Sequence, residues 1–179
     1  QYDQVMYSSA PGALKAEQAV VYTESHDNLT LWDKLLFTSA ALGEEERIRM
    51  HKLANAIVLT SQGIPFLHAG QEFARTKGGD FNSYQSPIEI NQLDWERKVE
   101  YSQIVNYTKG LIRLRTQHPA FRLPETKEIQ SKLTFLPMPA PNMIGYTLGP
   151  WANGDLWEWI LVRLNGNGVG YEVSIPCKK

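Results

Sequence analysis

The sequence predicts an α/β segment followed by an all-β segment. Two short apolar runs, at residues 19–23 and 64–69, alternate with helical patterns in the order βαβα, which is typical of a parallel sheet. From about residue 120 onward, short alternating segments separated by Pro, Gly and Asn replace the helical patterns. The 179 residues suffice for one large core or two small ones, but a complete (β/α)₈ barrel needs roughly 200 residues or more.

The first predicted βα unit follows from the placement of its apolar residues. Residues 19–23 are apolar and β-branched, as in a buried parallel strand, and residues 29–37 have a helical pattern. A second helix has three glutamates in its first turn, at residues 44–46, and stops at Gly63. Its apolar stripe, at helical spacing, consists of Met50, Leu53, Ala54, Ile57 and Val58.

The second predicted unit begins with a strand at residues 64–69, whose proline suits the first residues of a strand. A polar loop follows at residues 70–93, and a loop of this length is usually functional or disordered. Asp94 is a candidate N-cap for the next helix, which ends where His118 precedes a proline. The predicted buried stripe of this helix consists of Ile104, Tyr107, Leu111 and Ile112.

Four strands are predicted in the tail, as an antiparallel sheet or an incomplete sandwich. They lie at residues 132–136, 142–148, 156–164 and 170–175. Turn residues separate them at 149–150 and 165–168. Trp157 and Trp159 would share one face of the third strand, either as a stacking platform for a sugar or as part of a buried sheet face.

The composition disfavours several classes of protein. Lys and Arg number 18 against 19 Asp and Glu, so the basic excess that nucleic-acid binding needs is missing. No stretch of about 18 apolar residues predicts a membrane span, and residues 1–12 lack the pattern of a signal peptide. Cys177 is the only cysteine, which excludes an internal disulfide. Phosphate-binding loops, CxxC pairs and GxSxG elbows are also missing from the sequence.

Polar side chains follow the first predicted strand at residues 24–28 and fill the 70–93 loop. Because ligands bind beyond the carboxyl ends of parallel strands, both segments are expected around one crevice. Asp27 could accept hydrogen bonds from two adjacent hydroxyls of a sugar while His26 donates one; alternatively, Asp27 caps the following helix. The loop residues could likewise bind a ligand or be merely solvated, and they are Arg75, Lys77, Asp80, Asn82 and Tyr84.

Two further residue pairs also have two interpretations each. His68 and Glu72 are four residues apart and could ligate a metal if they were helical, but two ligands do not make a site, and packing is the simpler interpretation. Trp32 and Trp95 could stack on sugars, or belong to the core.

Four further stretches are distinctive: YTESHDNLTLWDKL at residues 22–35, TSQGIPFLHAGQEF at 60–73, NSY at 82–84 and NQLDW at 91–95. Together they resemble the type I pullulanases, the starch-debranching members of the alpha-amylase superfamily. The resemblance covers about residues 17–122. It implies that residues 1–121 form the last two βα units of a (β/α)₈ TIM barrel, with strands seven and eight. Residues 122–179 would form a partial C-terminal β-sandwich domain.

The resemblance also implies retaining hydrolysis of α-1,6-glucosidic linkages in pullulan, branched starch and limit dextrin. In this mechanism one carboxylate attacks the anomeric carbon and a second protonates the leaving oxygen. Nothing in residues 1–18 matches either motif, so the chain alone is expected to be inactive. By resemblance, Asp27 is the third carboxylate, a transition-state stabiliser that grips ring hydroxyls. The expected substrate-binding residues are His26, Asn28, Asp80, Asn82 and Tyr84.

No cofactor is expected; a calcium site stays open as an alternative, although nothing in the sequence supports one. Two alternatives within enzymes are an isoamylase-like and a neopullulanase-like amylolytic enzyme. A third alternative is a non-enzymatic carbohydrate-binding module, in which Trp151, Trp157 and Trp159 would form the stacking face.

Overall fold

The computed structural model describes residue 13 and residues 15–174. The two apolar runs form short parallel strands, β1 (Val20–Val21) and β2 (Ile64–Pro65), in which Val20 pairs with Ile64 and Val21 with Pro65. The predicted parallel pairing is therefore confirmed. The predicted burial is wrong, because Val20 is 55% exposed and the sheet has two strands in the described part of the chain.

Helix α1 (Leu31–Thr38) begins later than predicted, and Thr30 is its N-cap. The Thr30 hydroxyl accepts a hydrogen bond from the Asp33 amide at 3.1 Å. Asn28 adopts a left-handed conformation with φ of 62°, which separates the preceding polar residues from the helix. The alternative that Asp27 caps this helix is therefore wrong.

Helix α2 (Glu44–Thr60) begins at the three glutamates and ends before Gly63, as predicted. Of its predicted stripe, however, only Val58 is buried. The buried face instead contains the polar residues His51 and Asn55. The Asn55 amide donates to the Thr108 hydroxyl at 3.1 Å and accepts from the Gln71 amide at 2.7 Å. Because these internal hydrogen bonds make polar side chains suitable for the core, apolar periodicity alone identified the wrong face.

The 70–93 loop is ordered by short helical turns. These are two 3₁₀ turns, Gln71–Phe73 and Ser83–Gln85, and the single-turn helix α3 (Ile88–Asn91). The helix predicted after Asp94 is divided into α4 (Arg97–Glu100) and α5 (Ser102–Gln117), with Tyr101 between them. Asp94 does not cap either segment; its carboxylate accepts from the Glu96 amide at 3.0 Å.

Helix α5 ends before His118 as predicted, but its buried face differs from the predicted stripe. Ile104 is buried, whereas Tyr107 and Ile112 are exposed. Thr108 and Arg115 are buried instead. The Arg115 guanidinium donates to backbone carbonyl oxygens at the end of α2 and beyond it, those of Leu59, Ser61 and Gly63. Leu59 lies in the last turn of α2 and the other two residues follow the helix, so Arg115 satisfies carbonyl oxygens that have no partner within the helix.

Up to residue 174, the tail contains helix α6 (Thr126–Lys132), which was not predicted, and three antiparallel strands. Their spatial order is β3 (Leu133–Leu136), β4 (Met143–Leu148) and β5 (Ile160–Asn165). The first two strands are confirmed within a residue, and the third begins at Ile160, so Trp157 and Trp159 precede it and share no strand face. Residues 170–174 form no strand, and residue 175 lies outside the described residues.

The core of the tail joins the sheet to the end of the helical segment. A 3₁₀ turn, Pro119–Arg122, buries Ala120 and Phe121 against Tyr146 and Leu148 of β4. No helix between residues 15 and 174 is long and apolar enough to cross a membrane. Residues 1–12 and Cys177, on which the sequence-based exclusion of a signal peptide and of a disulfide depends, lie outside the described residues.

Candidate functional site

His26 and Asp27 lie in the loop between β1 and α1 and extend into solvent. Their side chains are 84% and 73% exposed, and the His26 Nε2 lies 3.5 Å from the Asp27 Oδ2. The Asp27 carboxylate is therefore accessible to a ligand on the carboxyl-end side of the parallel strand pair. Asn28 follows with its left-handed backbone and is also exposed.

Glu24, in the same polar run, is buried and holds the loop in place. One of its carboxylate oxygens accepts a hydrogen bond from the Leu31 amide at the start of α1. The other lies 3.0 Å from His68 Nδ1, in the segment that follows β2. The carboxylate thereby connects the β1–α1 loop to the second βα unit. Sequence reasoning included Glu24 in the motif but assigned it no role.

The polar network continues from Glu24 through His68 to Arg75. The Arg75 guanidinium lies 3.2 Å from His68 Nε2, and because arginine can only donate, Nε2 accepts and Nδ1 carries the proton that faces Glu24. Burial and the positive charge of Arg75 lower the pKa of His68. Burial raises the pKa of Glu24 to about 7, although the Leu31 amide and Arg75 oppose this shift.

Both ring nitrogens of His68 have partners in this network, Glu24 and Arg75, so the network supports a structural role for His68 and not the binding of a metal. Glu72, the other member of the predicted pair, accepts from the Gly70 amide at 3.1 Å. Among the described residues, no group of three His, Cys, Asp or Glu side chains is arranged to hold a metal ion.

The second loop is attached to α1 through the buried carboxylate of Asp33. This carboxylate accepts from the Lys77 amide at 2.8 Å and from the Thr76 hydroxyl. The Lys77 ammonium in turn donates to the His26 carbonyl oxygen at 3.0 Å and to the Ser83 hydroxyl at 3.1 Å. The structure therefore brings the 82–84 segment next to the loop that carries Asp27, as the parallel-strand argument predicts.

The loop residues predicted to bind substrate have different environments. Asn82 and Tyr84 are exposed on either side of the buried Ser83, and Tyr84 is 75% exposed. The Asp80 carboxylate accepts from the Asn82 amide at 2.8 Å and from the Ser86 hydroxyl. Both hydrogen bonds lower the pKa of Asp80, and the one from Ser86 has the larger effect. Asp80 thus shapes the turn, while Asn82 and Tyr84 remain available to a ligand.

A polar groove of about 470 Å³ borders this loop, between residues 76–78 and 89–96. Trp95 lines it and is 61% exposed. Trp32, in contrast, is buried, with its ring centroid 4.9 Å from that of Tyr101, so it belongs to the core. Trp157 stacks on His118 with centroids 3.7 Å apart, which occupies one face of its ring.

Comparison with known proteins identifies similarity along most of the chain. The family model for the pullulanase all-beta domain matches residues 129–179. The pullulanase of Bacillus subtilis strain 168 is 44% identical over 167 residues, which are 93% of this chain and 23% of that protein.

Two solved structures show the same similarity. A pullulanase from Paenibacillus barengoltzii, in complex with maltohexaose and alpha-cyclodextrin, has a TM-score of 0.89 at 51% identity, over 92% of this chain and 25% of that one. The type I pullulanase of B. subtilis strain 168, in complex with maltose, has a TM-score of 0.82 at 44% identity, over 86% of this chain and 22% of that one. The chain thus spans about a quarter of the length of these relatives.

Proposed function

We propose, because this chain belongs to the pullulanase family, that it is the C-terminal part of a glycoside hydrolase that cleaves α-1,6-glucosidic linkages in pullulan and branched starch. Residues 1–121 would supply the last two βα units of the catalytic (β/α)₈ barrel. Residues 122–179 would supply a C-terminal antiparallel β-domain. The parallel pairing of β1 with β2 supports the first assignment, and the antiparallel order β3-β4-β5 supports the second.

The observation that carries this proposal is the placement of Asp27. Its exposed carboxylate lies beyond the end of β1, and Lys77 connects its loop to the segment that bears Asn82 and Tyr84. A carboxylate in this position can accept hydrogen bonds from two neighbouring ring hydroxyls of a glucose unit. Such bonds strengthen as the ring approaches its oxocarbenium-like transition state, so they accelerate the reaction rather than merely bind substrate.

His26 and the loop residues would complete the binding of the sugar. The imidazole of His26 can donate to a hydroxyl next to those that Asp27 binds, and Asn28 lies beside both. Asn82 and Tyr84 would line the cleft from the other loop, with Asp80 holding their turn. The maltohexaose, alpha-cyclodextrin and maltose in the related structures support an α-glucan ligand.

The retaining mechanism needs a nucleophile and a general acid, and residues 15–174 offer no candidate for either next to Asp27. Glu24 is the nearest carboxylate in the sequence, but its two oxygens are occupied by Leu31 and His68. Both catalytic groups would therefore come from earlier strands of the full-length protein. The 179-residue chain alone is expected to have no hydrolase activity.

The test is the release of reducing ends from pullulan by the full-length protein and by the 179-residue chain. The full-length protein should release maltotriose, because the α-1,6 linkages of pullulan join maltotriose units, and the chain alone should release nothing above background. A product that retains an α-1,6 linkage would indicate neopullulanase-type cleavage. Activity on glycogen without activity on pullulan would indicate an isoamylase-like enzyme. Glucan binding without hydrolysis by the full-length protein would overturn the proposal.

A further inference from the structure

Lys77 has a buried ammonium group that forms no ion pair with a carboxylate among residues 15–174, and Glu24 and Asp80 interact with its charge only from a longer distance. The residue is 2% exposed, and lysine is almost never fully buried unless it is paired. Within residues 15–174, no carboxylate oxygen lies within 4.0 Å of its Nζ. Its observed partners are the neutral oxygens of His26 and Ser83. Burying a charge against neutral oxygens is costly, so its presence suggests a role that packing alone does not explain.

The backbone of Lys77 is held by hydrogen bonds, as its ammonium group is. Its backbone amide donates to the Asp33 carboxylate, which is itself buried in the first turn of α1. The adjacent Thr76 hydroxyl donates to the same carboxylate. Lys77 is therefore anchored to α1, and its side chain extends from this anchor to two loops.

Each of the two acceptors of the Lys77 ammonium adjoins exposed residues of the candidate site. The His26 carbonyl belongs to the peptide bond between His26 and Asp27, so its position determines the direction of both side chains. Ser83 lies between Asn82 and Tyr84, so its position determines where these two exposed residues project. A hydrogen bond from an ammonium is stronger and shorter than one between neutral groups, which suits a fixed spacer.

We propose that Lys77 is a positioning residue, whose ammonium sets the distance and orientation between the His26–Asp27 peptide and the 82–84 segment. This inference rests on the proposed function, because it assigns both segments to one substrate cleft. Lys77 does not contact the reacting atoms; it acts through the residues that it holds. Its loss should therefore lower the rate of the chemical step more than it weakens substrate binding.

The experiment compares Lys77→Met, Ser83→Ala and the control Lys109→Met in the full-length protein. Methionine keeps the length and the apolar stem of lysine but removes the charge and the donors. Lys109 is an exposed lysine of α5, remote in sequence from both loops. Hydrogen exchange of the backbone amides reports on the two loops, and steady-state kinetics with pullulan report on the cleft.

Lys77→Met should accelerate amide exchange at least tenfold in both residues 25–28 and residues 82–86, while exchange in α2 stays unchanged. The value of kcat should fall at least tenfold, with a smaller change in KM. Ser83→Ala should accelerate exchange mainly in residues 82–86, because the bond to His26 remains. Lys109→Met should change neither measurement.

Unchanged exchange in both loops of a folded Lys77→Met protein would overturn the inference, as would a loss confined to thermal stability. If Lys77→Met does not fold, Ser83→Ala decides: unchanged exchange in residues 82–86 with unchanged kcat overturns it. If the unsubstituted protein does not hydrolyse pullulan, the proposed function fails. In that case, faster amide exchange in residues 25–28 and 82–86 of Lys77→Met than in the same residues of Lys109→Met would still support the positioning role. Equal exchange in the two variants would overturn it.

Discussion

At the scale of single residues, two carboxylates three positions apart have opposite environments. Asp27 is exposed, and its nearest ionisable neighbour is the equally exposed His26. Glu24 is buried, and its oxygens are bonded to the Leu31 amide and to His68. An exposed carboxylate can exchange water for sugar hydroxyls at little cost, whereas Glu24 would have to break two bonds. The first is suited to bind ligand and the second to hold the loop.

A buried histidine should make the stability of the protein depend on pH. His51 is buried in α2, with its Nε2 2.7 Å from the Gln71 carbonyl oxygen, to which it donates. Burial lowers the pKa of His51 from 6.5 to about 4. The unfolded chain binds a proton near pH 6.5, so the stabilisation present above that pH is lost as the pH falls towards 4. The loss in the free energy of unfolding amounts to about 3 kcal/mol.

The contribution of His51 to the pH dependence of the free energy of unfolding can be measured by urea unfolding of the wild type and of His51→Gln, at pH 7 and at pH 4.5. Glutamine can still donate to Gln71 but does not titrate. Because the titration of His51 is incomplete at pH 4.5, the variant should lose about 2 kcal/mol less than the wild type between the two values of pH. Glu24 titrates in the opposite sense, because its pKa is raised, but it does so in both proteins and cancels in the comparison. Equal pH dependence of the two proteins would contradict the assignment.

The sequence indicated the location of the exposed residues better than the contacts of the buried ones. Asp27 follows a predicted strand, and the structure places it in the exposed loop after β1. Glu24 and Lys77 could not be assigned from local sequence, because their partners lie 44 and 51 residues away along the chain. Lys77 in particular had the same pattern as a solvated loop residue.

At the scale of elements, the start of α1 determines the geometry on both sides of it. Thr30 caps the helix, Glu24 accepts from the first helical amide, and Asp33 in the first turn holds the second loop. The end of β1, the start of α1 and the 76–83 segment are therefore connected through side chains. A change in the position of this helix terminus would move the whole candidate site.

The Thr30 cap gives a prediction that separates its hydroxyl from its packing. Thr30→Ala removes the acceptor of the Asp33 amide and should lower the free energy of unfolding by about 1 kcal/mol. Thr30→Ser keeps the hydroxyl and should retain most of the stability. Thermal or urea unfolding of both variants measures the difference. Equal destabilisation by serine and alanine would show that the lost methyl group, not the cap, is responsible.

Element boundaries were predicted well where a capping or breaking residue marks them, and buried faces poorly. Helix α2 starts at its glutamates and α5 ends at His118 as expected. The faces were misassigned because α2 and α5 pack through polar contacts, such as Asn55 with Thr108. An apolar stripe predicts the buried face of a helix only where the core is apolar, and the core between α2 and α5 is partly polar.

At the scale of the whole molecule, hydrogen bonds fasten the β-sheet to the helical segment. The Tyr146 hydroxyl of β4 donates to the Thr60 carbonyl at the end of α2, at 2.6 Å. His118 Nδ1 lies 3.0 Å from the Asp155 carboxylate, which also accepts from the Ala120 amide at 3.2 Å. These buried contacts join residues up to 86 positions apart, so they connect the helical segment to the tail.

The chain on its own should self-associate. An apolar patch at β1 and β2 remains exposed and consists of Val20, Tyr22, Ile64 and Phe66. Within residues 15–174, both strands also have an unpaired edge, and such edges add to the tendency to associate. Light scattering of the 179-residue chain should show an apparent mass that rises with concentration. The stability measurements above therefore use concentrations below this onset.

A pair of variants tests whether the patch causes the association. Phe66→Lys places a charge within it and should raise the concentration at which association begins. Leu156→Ser removes an exposed leucine of the tail, outside the patch, and should have little effect. A compact monomer at all concentrations, or equal effects of the two substitutions, would contradict the prediction.

The most direct test of the proposed function is the turnover of pullulan by the full-length protein with Asp27→Asn. The side chain is exposed, so the melting temperature should stay close to that of the wild type, and Glu45→Gln provides an exposed carboxylate as a control. If Asp27 binds the ring hydroxyls in the transition state, kcat falls roughly 10³-fold in Asp27→Asn and is unchanged in Glu45→Gln. Near-normal turnover by a folded Asp27→Asn protein would remove this carboxylate from the mechanism.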